Sequence, residues 1–557
     1  MERTILALTA LLLAPLIAEA QPRSPVDLLQ ETPLPYRCPT WLRGDSTGIW
    51  VTYGLAAVSA DDSAWNNSDS QQPALRHTVT VSSLAELKAW AAKPTPSTRI
   101  IVEDGDYADA GAFTLSGIVG TRQEPVVITA RHPLKTVFRL GGFTLAESRW
   151  VTIEGIAFRG PFTAKAERAH VTLSRNQSCR LTGCIIEPDD GGVMPGKAGT
   201  RYSFLQLMDG VANRVDHCRI RGKKSMGPMI VIRPTERSPL LEYNQFMDFA
   251  FGKINGFEGL QLGNDYTHRM RAVVRCNWFE RLDGEAEVIS VKTTDNTIFA
   301  NTFLDNAGEV VVRAGNGTRV IANLFINSNG AKKIGGIRNQ GDDTLILGND
   351  FLATVTGVQT QCGDTAVDFP PGVDHYTPAP GKLEITYRQS RRVQVLGNRF
   401  INVAMPLLFN PADTRQHQEK SGRTVTVTKN LPPIGWRIAG NLIQGTATPV
   451  QGSGEVEMTW LANLVAGPDT AEALGRPFAP EAMRLAPIPI FTLGADGRWR
   501  DANGPPLIHP GVRKAATGPG ALPAYREHRH DRTARWLPMF GTDEANENER
   551  KKHDSHP

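Results

Sequence analysis

Cysteine is scarce in this chain, with six residues (38, 179, 184, 218, 276 and 362) among 557. A scaffold stapled by disulfides is thereby excluded, and the thiols are expected to be buried and inert. An excess of either charge is lacking too, because 61 Lys+Arg against 57 Asp+Glu leave a formal +4. So even a balance does not announce a nucleic-acid partner, and an anionic ligand would need a local basic cleft. Long apolar runs are missing except at the start, where Ile5 to Ile17 is almost unbroken. That run is too short to span a bilayer comfortably, and Ala18-Glu19-Ala20 after it has a small-x-small cleavage pattern. Residues 1–20 therefore read as an export signal, and the expected location is periplasmic or secreted, without membrane attachment. Plentiful instead are Gly (52) and Pro (38), which point to many turns and few long helices.

The chain repeats a hexad: aliphatic, two variable residues, Asn, one variable residue, then an aromatic or aliphatic. It reads LEYNQF, VRCNWF, IFANTF, VIANLF, ILGNDF, VLGNRF, IAGNLI and, more loosely, WLANLV. Cys184 and Cys218 take the Asn slot in two earlier copies. From Cys184 the slots are 34, 26, 33, 24, 22, 26, 49, 43 and 22 residues apart, a unit of 22 to 26 with loops inserted. Short strands around a turn, recurring at that period, predict an all-β fold: a parallel β-helix. Coils stack at about 4.8 Å, so one Asn per coil at a fixed phase forms a ladder. These asparagines are scaffold.

The ends fit a capped stack. Ser83-Leu84-Ala85-Glu86 is a capping box that opens a short N-terminal capping helix through about Ala92. The expected organisation is a signal (1–20), an N-terminal extension (21–76), the β-helix (77–466), an irregular C-terminal segment (467–540) and a disordered charged tail (541–557).

Residues 255–338 carry more polar side chains than a scaffold needs. GEAEVISVK places Glu285 and Glu287 two apart, on one face of a strand. Neighbouring carboxylates repel unless a cation sits between them. With Asn255 they form an all-oxygen set suited to Ca²⁺. Lys292 follows Glu287 by five residues, an odd offset that demands a corner if both are to face one way. Arg313 lies 21 residues after Lys292, and Arg338 lies 25 after Arg313. Each step is about one coil, so the three are expected to form a cationic column. A solvated surface with ion pairs between coils is the competing reading. Asp342-Asp343 reads as a turn, and Arg338 pairing with it is the alternative to a substrate contact.

At these residues the chain resembles polysaccharide lyase family 6, through NGFEGLQLG, DGEAEVISVKTTDNTIFANTF and VVVRAGNG. That family holds alginate lyases and the chondroitinase B type of dermatan sulfate lyase, and the likeness extends more weakly from Thr78 to Val465. The resemblance implies a right-handed parallel β-helix and a Ca²⁺-dependent β-elimination. It puts Asn255, Glu285 and Glu287 on the calcium ligands, Lys292 on the base and Arg313 on the acid. A guanidinium barely deprotonates, so Arg313 is read chiefly as a stabiliser of charge. Many members have His after that Arg, where this chain has Ala314. His268, and His375 with Tyr376 in the insertion between Asn349 and Asn398, are the candidates to contact substrate instead. Arg338 matches a basic position of alginate-cleaving members, so alginate is expected ahead of dermatan or chondroitin sulfate. The expected partner is an anionic polysaccharide, alginate or a glycosaminoglycan, acted on by a monomer. A non-catalytic carbohydrate-binding β-helix and a glycosidase are the alternatives.

Overall fold

The computed structural model describes residues 75–466, apart from internal segments of which 162–168, 191–200, 328–334 and 365–386 are the longest, and three short strands between 483 and 501. The export signal, most of the N-terminal extension and of segment 467–540, the charged tail and Cys38 lie outside the described residues. Among the described residues no helix is long and apolar enough to cross a membrane.

The chain winds as a parallel β-helix with three faces. The first face is a 14-stranded parallel sheet running from His77–Val81 to Met458–Leu461. A second face, here the ladder face, follows the Asn corner; Trp278–Leu282, Thr302–Leu304 and Leu324–Ile326 are three of its strands. The third, the groove face, includes Leu260–Leu262, Glu287–Val291, Glu309–Val312 and Ile337–Asn339. Inward side chains from all three faces fuse into one apolar core that runs from Val81 to Val465.

The hexad shapes one corner of every coil. The residue before the ladder Asn adopts a left-handed backbone at Tyr243 (φ 56°), Cys276 (φ 56°), Ala300 (φ 52°), Ala322 (φ 55°), Gly348 (φ 59°) and Gly397 (φ 58°). Left-handed φ costs a non-glycine residue roughly 1–2 kcal/mol, and the Asn amide offsets it. From Asn244 to Asn441 each amide nitrogen donates to a strand carbonyl on the preceding coil and to the next Asn Oδ1, at 2.8–3.0 Å. That Oδ1 also accepts the previous Asn backbone N–H, so a buried polar column is left with no unmet group. Two residues on, Phe279, Phe303, Phe325, Phe351 and Phe400 stack at 4.6–4.9 Å between ring centres. The scaffold reading of these asparagines holds, and the five described cysteines are buried thiols outside any disulfide, as expected.

At the N-terminal end, helix α1 (Leu84–Ala91) seats Leu87 and Ala91 in the core beside Val81, Ile100 and Phe113. Ser83 Oγ accepts the Glu86 N–H at 3.1 Å. Glu86 reaches back one residue further than the capping-box pattern, accepting the Ser82 N–H at 2.7 Å. Beside the coils, Gly363–Asp364, Asp413–Gln418 and Thr424–Leu431 form a small antiparallel sheet.

Candidate active site

The groove face departs from the repeat at one strand, Glu287–Val291. Glu287 pairs with Glu309, but Ile289 pairs with Val310, so Val288 is an extra residue and the strand bulges. Val288, Ile289 and Val291 all point into the core, while Glu287 hydrogen-bonds the hydroxyl of Ser290. The bulge reverses the strand's parity. It brings Glu287 and Lys292 to the same side, where the odd offset had called for a corner.

Lys292 and Arg313 stack in register: Lys292 N–H donates to the Leu262 carbonyl at 3.0 Å and Arg313 N–H to that of Val291 at 2.9 Å. The next residue in that row is Gln340, whose N–H donates to the Val312 carbonyl at 2.8 Å. Arg338 instead pairs with Val311, itself opposite Ser290. The expected three-cation column is therefore corrected to a two-residue column, with Arg338 set two residues upstream. The sequence spacing counted loop residues, which do not advance the register.

That offset directs Arg338 towards the carboxylates. Its Nη2 lies 3.3 Å from Glu287 Oε1 and its Nε 3.7 Å from Glu309 Oε2. Arg313 Nη1 is 3.5 Å from the same Glu287 oxygen, and Lys292 Nζ donates to Glu258 Oε1 at 3.1 Å. Arg338 does not take Asp342 or Asp343 as its partner. Arg388 bonds Asp342 at 3.2 Å, and Arg392 bonds Asp343 at 2.6 and 2.8 Å, which makes that pair a structural turn.

Three carboxylates converge here. Oxygens of Glu258, Glu285 and Glu287 all lie within 4.8 Å of one another. Glu258 was not singled out in the sequence; its signal was a carboxylate three residues after Asn255 in NGFEG. Asn255 itself is exposed, and the neighbouring Gly256 N–H donates to Glu285 at 3.0 Å. Close backbone approach makes the cluster possible, since a Cβ on Gly284 would sit 2.3 Å from the Phe257 carbonyl oxygen. Burial, then the charges of Glu258 and Glu287, push the Glu285 carboxyl up to about 7. Burial presses Glu287 the same way, but Lys292, Arg313, Arg338 and the Ser290 hydroxyl outweigh it and hold its pKa below the ordinary value. Glu309 is also buried, accepting from Thr356 Oγ1 at 3.2 Å and from the Gln359 amide.

The donor set suits a hard cation. Glu258 Oε2 and Glu285 Oε1, two oxygens of this carboxylate cluster, are buried without a hydrogen-bond partner. Such orphaned acceptors are costly unless something positive meets them. Of the other candidates, His268 is not drawn in. His268 Nε2 sits 3.2 Å from the Glu236 carbonyl, at the bend after Leu260–Leu262, and His375, Tyr376 and Ala314 lie outside the described residues.

Comparison with known proteins gives a family and a set of folds. Residues 81–471 match the family described as Chondroitinase B. A mannuronic acid specific polysaccharide family 6 lyase from human gut microbiota is 20% identical, with a TM-score of 0.60, covering 74% of this chain and 91% of its own. Alginate lyase AlyGC is 19% identical at TM-score 0.62, covering 80% of this chain but only 58% of its own length. The family 6 lyase Pedsa3628 from Pseudopedobacter saltans is 20% identical at TM-score 0.57, covering 70% and 92%. No curated protein sequence matches the chain.

Proposed function

The chain belongs to the chondroitinase B family of polysaccharide lyases, and from that premise we propose that it cuts alginate by Ca²⁺-assisted β-elimination. The observation that carries the reading is the cluster of Glu258, Glu285 and Glu287, two of whose buried oxygens lack partners, beside Lys292 and Arg313.

Glu258, Glu285 and Glu287 are the residues that would hold the ion, with Asn255 at the rim of the same loop. Ca²⁺ there would supply Lewis acidity, neutralising the uronate carboxylate and so making the neighbouring C5 proton easier to remove. Lys292 is the base. Its ammonium is held by Glu258 in this state, and it acts once that carboxylate is engaged elsewhere and the amine is neutral. The C5 electrons form the new double bond as the C4–O4 bond breaks, and the pair leaves on O4. Arg313 carries a fixed positive charge to meet that developing anion, and solvent completes the proton transfer.

Arg338 supports alginate over dermatan sulfate. It sits one coil on and upstream of Arg313, where it would meet the carboxylate of an adjacent uronate, and alginate has one on every sugar. The relatives named as alginate lyases or as mannuronic acid specific lean the same way. The N-terminal run and its Ala18-Glu19-Ala20 site favour export to the periplasm or beyond, and a single chain carries every group named here.

The test is direct. Purified protein is incubated with alginate, dermatan sulfate and chondroitin sulfate, with Ca²⁺ or with chelator, and ultraviolet absorbance of the unsaturated product is followed. Alginate should be cut fastest, and the chelator should stop it. Faster cleavage of dermatan sulfate overturns the substrate, and indifference to chelator overturns the metal. Saturated products would make it a glycosidase, and binding without any product a carbohydrate-binding protein.

A further inference from the structure

Three side chains from distant parts of the sequence meet beside the groove, and the reaction above uses only one of them. The guanidinium carbon of Arg313 lies 5.3 Å from the ring centre of Tyr387, and Lys429 Nζ lies 3.8 Å from that same centre. Tyr387 ends the long insertion after Asn349, and its carbonyl accepts the Asp364 N–H at 2.7 Å. Lys429 comes from the antiparallel sheet, where it pairs with Asp413 and Asp364. It is 5% exposed, and its ammonium donates to Gln361 Oε1 at 3.0 Å on the groove face.

This arrangement answers a mechanical need. Arg313 reaches its carboxylate, Glu287, only at 3.5 Å, and Glu287 is shared with Arg338. A long, shared contact leaves the guanidinium with torsional freedom. The face of an aromatic ring attracts a cation and restricts it without neutralising its charge, whereas a second carboxylate would cancel the charge that the leaving oxygen needs. The ring also lets two cations lie close together, which bare like charges resist.

We infer that Tyr387 is a positioning residue for Arg313, acting through its ring, and that Lys429 fixes that ring and adds a second positive charge where the leaving oxygen becomes negative. The inference rests on Arg313 facing the substrate, as proposed above. That premise is tested first: the wild type should release unsaturated product and Arg313→Ala should not. A wild type inactive on every uronide, or an active Arg313→Ala, overturns the premise and the inference with it.

With the premise secured, Tyr387→Phe, Tyr387→Leu and Lys429→Met are compared by kcat, KM and thermal midpoint. Phe keeps the ring, so its kcat should stay within about threefold of wild type. Leu removes the ring and should lower kcat about tenfold while leaving KM within about threefold, the size expected of one cation–π contact. Lys429→Met should lower kcat by a smaller factor, about threefold to fivefold. A simple packing role would move the midpoint or KM without this split and without rescue by Phe. An unchanged kcat in the Leu variant overturns the inference, and so does a Phe variant as slow as Leu, which would move the role to the hydroxyl. Should the Leu variant not fold, Lys429→Met decides, and an unaltered kcat there overturns it equally.

Discussion

Along the corner from Asn244 to Asn463 every coil contributes the same amide, whereas along the groove from Glu258 to Arg338 neighbouring coils contribute different charges. The corner leaves no ladder amide unmet, and the groove leaves two buried carboxylate oxygens without a partner. Both are built on the same stacked coils, over the same core. Repetition is how a solenoid satisfies its own backbone. Departure from it, with a bulge at Val288, is where side chains become available for something outside the protein. A local rule broken at a buried, polar position marks function more reliably there than the abundance of charge does.

If the two regions are separable, damage to one should spare the other. The largest effect is expected from Lys292→Ala, which should cost about 10³-fold or more in kcat, roughly 4 kcal/mol of barrier. With Ca²⁺ present to meet the Glu258 carboxylate that Lys292 releases, its thermal midpoint should stay within about 2 °C, because the half-buried Lys292 leaves no apolar cavity. Substantial unfolding of this variant would show that the groove is scaffold after all. Next is Asn301→Ala, which strips partners from Asn277, Asn323 and the Val274 carbonyl. It should destabilise by about 3 kcal/mol in chemical denaturation while the folded fraction keeps its kcat.

The carboxylate cluster sharpens the contrast through pH. The folded-state pKa of Glu285 is raised to about 7, so its stabilising contribution is complete below the unfolded value and is lost as pH rises through about 7. In chelator, Glu285→Gln should match the wild type near pH 4 and exceed its stability at pH 8, by roughly 1–3 kcal/mol. Equal stability at both pH values would mean that the cluster carries no strain. With Ca²⁺ present the order should reverse, because the ligand is lost. The smallest effect is expected from Arg338→Ala, about a tenfold fall in kcat/KM on alginate, or ~1.4 kcal/mol. A smaller loss on short oligomers than on polymer would place Arg338 beyond the reacting sugar.

Much of the scaffold was legible, because a ladder is a local pattern repeated. The Asn slot recurs with little else shared between coils, and its ladder followed from the period alone, whereas the Phe column two places on emerged with the stacking. The site was legible only in part. Glu285, Glu287, Lys292 and Arg313 were picked out by their chemistry, and they do gather. Glu258 was missed because its neighbours are apolar and nothing local marks its carboxylate as facing Glu285. Arg338 was given the wrong row because residue counts include loops that strand pairing ignores.

From the sequence alone came the parallel β-helix, its capping helix and the kinds of side chain available for catalysis, since period, caps and chemical type are properties of short stretches. Only the tertiary structure decided which of those side chains share a face. The bulge at Val288 reversed one strand's parity, the register separated Arg338 from Arg313, and an insertion and a small sheet carried Tyr387 and Lys429 to the groove. Each depends on pairing between residues 20 or more apart, and such pairings are chosen by the whole stack at once, because a shift of one residue would turn an entire strand inside out.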